Sequence, residues 1–247
     1  MITLSAYPNI FISGQIIFSQ AILVFGFDDE AVWKKAADDY EFEVRRVLDK
    51  LRGWGTGRAV LKAINTTSRT MLIEPLLETP GGRTNAYATP GDKKAARRDG
   101  SDTTVSFTPA HWVASPAVKS ITGLNYWSGP GTLPDELLLH EITHGLRHMA
   151  GLRMGRNVPL QKEYDTFEEW FAILVSNIYR SERGRSDLRA DHGGFGTLAS
   201  LGINNQEDFV EYRLNRQHLK KFQKQQPAFF ADLQSVKAAF NPTKLIN

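Results

Sequence analysis

The pentapeptide HEITH, residues 140–144, constrains this chain more than any other stretch of its sequence. It matches the pattern His-Glu-x-x-His, with His140 and His144 four positions apart. On an α-helix such residues share one face, so both imidazoles can aim at a single point. A metal ion at that point would take two nitrogen ligands, and Glu141 beside them could reach a water molecule. The pattern is typical of hydrolases that use zinc.

The residues around HEITH predict a helix over 134–151. Pro134 suits the first helical turn, and Asp135 and Glu136 complement the positive end of the helix dipole. Gly151 is a natural stop. We expect an apolar stripe on the side away from the histidines, formed by Leu138, Leu139, Ile142, Leu146 and Met149.

Composition limits the ligands and partners that the chain can use. There is no cysteine, so any metal must be held by His, Glu or Asp. The formal net charge is only +3 over 247 residues, which makes no case for a nucleic-acid partner. The apolar start of the chain lacks basic residues and is interrupted by polar ones. We therefore expect neither a classical export signal nor a membrane span.

The length predicts one main domain. We place it at residues 28–247 and assign residues 1–27 to a β-rich N-terminal arm or linker. Residues 83–103 are polar and carry a basic cluster, which is either a solvated loop or a recognition patch. The members of this cluster are Lys93, Lys94, Arg97 and Arg98.

A catalytic zinc ion usually has three protein ligands, so a third must come from elsewhere. The metzincin pattern would need Gly at position 147 and His at position 150. Those positions hold Arg147 and Ala150, which excludes that class. His148 lies one turn beyond His144, and three successive turns of about 5.4 Å each diverge too far to meet at one ion. We expect His148 beside the ligands or at the surface.

The expected third ligand is a carboxylate from a second helix, predicted at 166–180. This helix offers Glu168 and Glu169. We favour Glu169, which would face inwards, and Glu168 would then orient a ligand histidine. Glu168 remains the alternative ligand. Glu163 and Asp165 precede the helix and are less rigidly placed.

Four segments together resemble the NleD-type family of bacterial effector metallopeptidases. They are VSFTP, LLLHEITHGLRHMAG, YDTFEEWFAILVSNIYRSERG and LRADHGGFG. Related domains occur as toxic tips of polymorphic and type VI secretion toxins. The resemblance extends over roughly residues 58–198, and HExxH with a downstream Glu is the gluzincin pattern.

The resemblance implies a zinc-dependent endopeptidase with zinc bound by His140, His144 and Glu169, and with Glu141 as general base. We expect an α+β, zincin-like fold. Its small, mostly antiparallel sheet would pack on the HExxH helix and the second ligand-bearing helix, followed by C-terminal helices. By the same resemblance, the strand Thr104–Thr108 would offer its edge to an extended peptide.

The resemblance also implies a biological setting. The protein would be a toxin or effector, exported by a specialised secretion system and acting in a target cell. Its expected partners are a protein or peptide substrate and a cognate immunity protein or secretion chaperone.

An oxyanion needs a hydrogen-bond donor besides the metal, and Tyr179 and His192 are the candidates. Tyr179 could instead be a core residue, and His192 could pair with Asp191 to order its turn. Arg189 would bind a substrate carboxylate or hold the same loop by a salt bridge.

Two other functions fit the same pattern. In a non-catalytic module, zinc would only staple two helices, and His148 or Glu168 would be the first suspects for a fourth ligand. Alternatively, a zinc amidase would act on cell-wall peptide with the same chemistry.

Overall fold

The computed structural model has an α+β fold, as expected, and describes residues 2–15, 30–76, 86–109, 130–158, 161–192 and 196–247. Its strands are β1 (Ile2–Leu4), β2 (Tyr7–Ile12), β3 (Met71–Glu74), β4 (Tyr87–Pro90) and β5 (Thr103–Ser106). Its helices are α1 (Glu30–Arg52), α2 (Gly55–Asn65), α3 (Pro134–Met149), α4 (Phe167–Glu182), α5 (Gln206–Glu211), α6 (Asn215–Gln225) and α7 (Pro227–Gln234).

The five strands form one sheet in the order β1-β2-β3-β5-β4. The outer pairs β1–β2 and β4–β5 are antiparallel, whereas β2–β3 and β3–β5 are parallel. The sheet is therefore mixed, and the expectation of a mostly antiparallel sheet was wrong. Helices α1 and α2 lie between β2 and β3 in the chain, and such a helical crossover lets the second strand run parallel to the first.

The N-terminal strands belong to this sheet. Strand β2 pairs with β3, and Ile10 and Ile12 lie in the same buried core as the helices. Residues 2–12 are thus part of the central sheet and not a separate arm. The predicted domain boundary at residue 27 falls outside the described residues and stays a prediction.

The strand expected at the edge of the sheet, Thr104–Thr108, corresponds to β5, which is not an edge strand. Strand β5 lies between β3 and β4, so both of its sides are paired, and β4 is the edge strand at that end of the sheet. Strand β4 lies within residues 83–103, which we expected to form a polar loop, and it ends in Pro90. Proline lacks the N–H that an inner strand needs, but an edge strand tolerates it.

Helix α3 begins at Pro134 as predicted and ends at Met149, and nearly all of its residues are buried. The side that carries His140 and His144 is buried, as is the apolar side. A Cβ atom on Gly145 would lie only 2.5 Å from Met71 Cε and 3.3 Å from Thr103 Cγ2. Glycine therefore lets α3 approach β3 and β5 closely, and α4 covers its other side.

Helices α3 and α4 run antiparallel and are joined by buried ion pairs at both ends. Near the C-terminal end of α3, Arg147 Nε donates to Glu168 at 3.0–3.1 Å. Near its N-terminal end, Arg180 pairs with Glu136, and Arg183 Nη1 lies 2.6 Å from Asp135 Oδ2. Loss of one partner from a buried pair typically costs about 3–5 kcal/mol, so these contacts fix how the two helices lie against each other.

The C-terminal helices cover α2 and α4. Aromatic rings of α4, α6 and α7 pack edge to face, with Phe222 against Phe171 at 4.5 Å and Phe230 at 5.0 Å between centroids. Helices α5 and α6 are separated by a turn in which Arg213 adopts a positive φ of 51°. Among the helices described here, none is long and apolar enough to cross a membrane.

Glu182 at the end of α4 binds the start of α2. Its carboxylate accepts from Gly55 N at 2.6 Å, from Thr56 N at 2.9 Å and from Thr56 Oγ1 at 2.9 Å. The first N–H groups of a helix have no partner within the helix, so this carboxylate caps α2 and ties it to α4.

We predict that Glu182→Ala lowers the free energy of unfolding by about 2–3 kcal/mol, because three donors lose a charged acceptor. Urea denaturation measures this change. Glu211→Ala is the control, because Glu211 pairs with Arg216 on the exposed surface, and it should stay within about 0.5 kcal/mol of the parent. Equal effects of the two substitutions would contradict the capping role.

Candidate metal centre

Three side chains from α3 and α4 converge on one point. His140 Nε2 lies 3.0 Å from His144 Nε2 and 3.1 Å from Glu169 Oε2. His144 Nε2 lies 3.4 Å from Glu169 Oε1. Both histidines are buried and Glu169 is mostly so. The three residues that we expected as ligands thus form a group that could hold a metal ion.

The sequence explains why Glu169 reaches this point. The Thr166 hydroxyl caps α4 by accepting from Glu169 N, which starts the helix directly before the two glutamates. Successive residues on a helix point about 100° apart. Glu169 therefore faces α3 at its histidines, while Glu168 faces Arg147.

The spacing of the ligand atoms fits a metal site. Bonds of about 2.0–2.2 Å at tetrahedral angles hold ligand atoms about 3.3–3.6 Å apart. The observed separations of 3.0–3.4 Å are close to that range. Small movements of the side chains would suffice to bind an ion.

The charges of the group also converge on a cation. Burial lowers the pKa of His140 to about 3, which leaves its imidazole neutral with a free lone pair. Burial acts in the same direction on His144, but the Glu169 carboxylate outweighs it and raises that pKa to about 9. One positive charge is thus stabilised between a neutral imidazole and a carboxylate. A divalent metal ion would take the place of that proton.

Glu168 and His148 lie outside the group. Glu168 binds Arg147 and also accepts from Met154 N at 2.6 Å, so it fixes the loop after α3 and orients no ligand histidine. His148 is buried, and not at the surface. Neither residue belongs to the set of converging ligand atoms.

Glu141 lies between the group and the sheet edge. It is 6% exposed, and burial raises its pKa to about 8, with His144 and Arg189 acting in the opposite direction. The backbone N–H of Ala88, in edge strand β4, lies close to its carboxylate and acts to lower its pKa. The carboxylate is therefore held at the side of the group that faces β4.

His192 lies in the loop after α4 and is close to the group of His140, His144 and Glu169. Its Nε2 lies 3.4 Å from Glu169 Oε2, and its Nδ1 lies 2.8 Å from Asp165 Oδ2. The ring is stacked parallel to that of His140, with centroids 6.4 Å apart. His192 pairs with Asp165 and not with Asp191, whose carboxylate accepts from Gly196 N. Asp165 has a positive φ of 52°, a strained conformation that often marks a functional position.

Tyr179 is not part of the site. Its hydroxyl is fully buried and donates to Asp135 Oδ2 at 2.7 Å, at the far end of α3. Asp135 precedes His140 by five residues, or about 7.5 Å along the helix axis. We therefore do not keep Tyr179 as a catalytic candidate.

Asn177 and Arg189 hold the loop that carries His192. The Asn177 side chain makes two hydrogen bonds of 2.8 Å with the backbone of Arg189. The Arg189 guanidinium donates to Asp191 O at 2.6 Å and to His192 O at 2.5 Å. Arg189 thus supports the loop by binding backbone carbonyls, whereas a salt bridge was one of the roles that we expected. The predicted loop also includes residues 193–195, which lie outside the described residues.

Two contributors were missed by the sequence analysis. Ala88 acts through its backbone, which no side-chain pattern could reveal. Asp165 was considered only as a metal ligand, and its real partner, His192, lies 27 positions away in the chain. Its position directly before the helix N-cap Thr166, four residues from the candidate ligand Glu169, could have indicated that it lies near the site.

We predict that Glu169→Gln weakens the binding of Co²⁺, a spectroscopic probe, by about 100-fold or more, because a charged ligand is lost. The matched change one residue away, Glu168→Gln, should alter affinity by less than about tenfold. Titration followed by visible absorption measures both. A larger loss for Glu168→Gln would show that the group has been assigned to the wrong carboxylate.

Comparisons with known proteins do not place this chain in a family. No family model matches it, no curated protein matches it, and no solved structure matches it. The resemblance to NleD-type metallopeptidases therefore stays a prediction carried by the motifs. The chemistry that the site can perform is therefore inferred from the positions of its own residues.

Proposed function

We propose that this protein is a zinc-dependent peptidase. The observation that carries the proposal is the position of Glu141, a buried carboxylate between a three-ligand group and an open sheet edge. A metal that only stapled two helices would not need such a carboxylate. Hydrolysis of an amide needs it as a proton carrier.

Zinc is the metal that this ligand set favours. Two imidazoles and one carboxylate, without thiolates, are the ligands of many catalytic zinc sites, which keep one position for water or substrate. When bound, zinc supplies a Lewis acid and lowers the pKa of water at the site towards about 7.

The residues of the chain then divide the remaining work. Ionised beside a bound cation, which lowers its pKa, Glu141 accepts a proton from the attacking water and delivers it to the leaving nitrogen as the peptide C–N bond breaks. Asp165 Oδ2 lies 2.8 Å from His192 Nδ1 and fixes the orientation of the imidazole. Nε2 of His192 then donates a hydrogen bond to the negative charge that develops on the carbonyl oxygen.

Edge strand β4 provides a place for an extended substrate. Gly91 N donates to Asp102 O at 2.8 Å, and the alternation of antiparallel pairing then turns the backbone of Ala88 outwards. Within the described ranges, no strand pairs with this outer side. A peptide bound along β4 would pass directly over Glu141.

The non-catalytic alternative needs a fourth protein ligand. Of the expected candidates, Glu168 is paired with Arg147, and His148 is not among the converging ligand atoms. The nearest remaining candidate is His192, because its Nε2 lies 3.4 Å from Glu169. The two functions therefore make opposite predictions for His192.

We predict that Glu141→Gln lowers the rate of peptide hydrolysis by about 10³-fold or more, because glutamine cannot carry the proton. Zinc content should stay at one ion per chain, since Glu141 is not a ligand. The assay uses zinc-loaded protein with an unfolded protein substrate, and peptidoglycan fragments as a second substrate to detect an amidase. Hydrolysis that persists in the zinc-loaded variant would overturn the proposal.

The resemblance further supports a role as a secreted effector or toxin. Expression of the parent chain inside bacterial and eukaryotic cells, each beside Glu141→Gln, tests this role. Growth arrest by the parent that the variant abolishes would support it. Equal growth in all cultures would count against it.

We predict that His192→Ala lowers kcat by about 10–100-fold and leaves zinc affinity within about threefold, because His192 stabilises charge without binding the metal. Asp165→Asn should lower kcat less, by about 3–10-fold. Competition with a chromogenic chelator measures the affinities. A loss of zinc affinity of about 100-fold in His192→Ala would instead identify a fourth ligand and the stapling function.

A further inference from the structure

The basic cluster of Lys93, Lys94, Arg97 and Arg98 lies in the connection between edge strand β4 and β5. All four side chains are exposed. Among the residues that the structure describes, none of the four forms an ion pair with a carboxylate. The charges are therefore available to a binding partner.

The connection that carries the cluster has a fixed conformation. Asp92 Oδ1 accepts from Lys94 N at 2.7 Å and from Ala95 N at 3.1 Å. This cap starts the 3₁₀ turn Ala95–Arg97. The cluster thus occupies an ordered turn and not an open loop.

The turn is packed on the C-terminal end of α3. Ser101 N donates to His148 O at 3.0 Å, and Arg153 N donates to Ala96 O at 2.9 Å. Gly151 has a positive φ of 72°, and a Cβ atom there would lie 2.3 Å from Arg98 O. These contacts hold the cluster at a set distance from the metal ligands on the same helix.

That distance suits a substrate bound along β4. Ala88 lies close to Glu141, and the connection that carries the cluster reaches the backbone of His148 through Ser101, seven residues or about 10 Å further along α3. An extended peptide covers about 10 Å with three residues. A chain that follows the β4 edge from Glu141 past Pro90 would therefore meet the cluster about three residues from the bond that is cleaved.

We propose that this basic cluster is a specificity subsite for acidic side chains of the substrate, located about three residues from the cleaved bond. The inference rests on the proposed peptidase function. It assigns a peptide and not a nucleic acid to the cluster, because the cluster continues the edge at which a peptide backbone would pair. Exposed charge pairs each contribute a modest free energy, so the subsite selects among substrates without determining catalysis.

The test starts from one peptide sequence that the zinc-loaded parent protein cleaves. It compares variants of this peptide that differ at two positions. Each carries either Ser-Ser or Glu-Glu about three residues before or after the cleaved bond. We expect the parent to favour one Glu-Glu peptide about five- to tenfold in kcat/KM at low salt. The fourfold variant Lys93→Ser, Lys94→Ser, Arg97→Ser, Arg98→Ser should reduce that ratio to about one, and about 1 M salt should do the same to the parent.

The control is Lys220→Ser with Lys224→Ser, which removes exposed charges from α6 and should keep the parental ratio. Circular dichroism confirms that each variant is folded. Cleavage without acidic preference, or a preference that the fourfold variant retains, would overturn the subsite and leave the peptidase standing. Failure of the parent to cleave any peptide would overturn both. Binding of RNA that depends on the cluster, with unchanged peptide ratios, would also overturn the subsite.

Discussion

The packing of α3 against α4 determines whether this chain has a metal site at all. Two of the candidate ligands come from α3 and one from α4, so their convergence depends on the rotation and the height of one helix against the other. Buried ion pairs fix both, Arg147 with Glu168 at one end and Arg180 with Glu136 at the other. The metal group lies between them. A shift of one residue along either helix, about 1.5 Å, would separate the three ligand atoms.

The packing of α3 against α4 also explains the roles of residues outside the group of His140, His144 and Glu169. Three positions of the resembling segment on α4 do not touch the ligands: Asn177 holds the loop of His192, Tyr179 binds Asp135, and Glu182 caps α2. Each fixes one end or side of the two-helix unit. Catalytic sites need such support, because ligands must be held to within a fraction of an ångström. The residues Asn177, Tyr179 and Glu182 of this segment can therefore be explained by support of the site, without any contact with a substrate.

The sequence was most informative where chemistry and helix periodicity coincide. His140, His144 and Glu169 could be predicted because four-residue spacing and an inward helix face define positions in space. The α+β class followed from the order of elements, but the parallel pairings did not. Edge strand β4 was missed because four residues ending in Pro90 carry no periodic signal. Tyr179 was wrongly placed at the site because a tyrosine on a buried helix gives no direction along the helix axis. Asp165 and His192 meet only through the tertiary fold.

We infer that His140, His144 and Glu169 bind one zinc ion and leave a position open for water. X-ray absorption spectroscopy of the zinc-loaded protein, together with a crystal structure at the zinc edge, tests it most directly. We expect two imidazole nitrogens and one carboxylate at about 2.0–2.2 Å, with one non-protein oxygen. A fourth protein ligand at the ion, His192 above all, would contradict the account, as would zinc bound at any other group of residues.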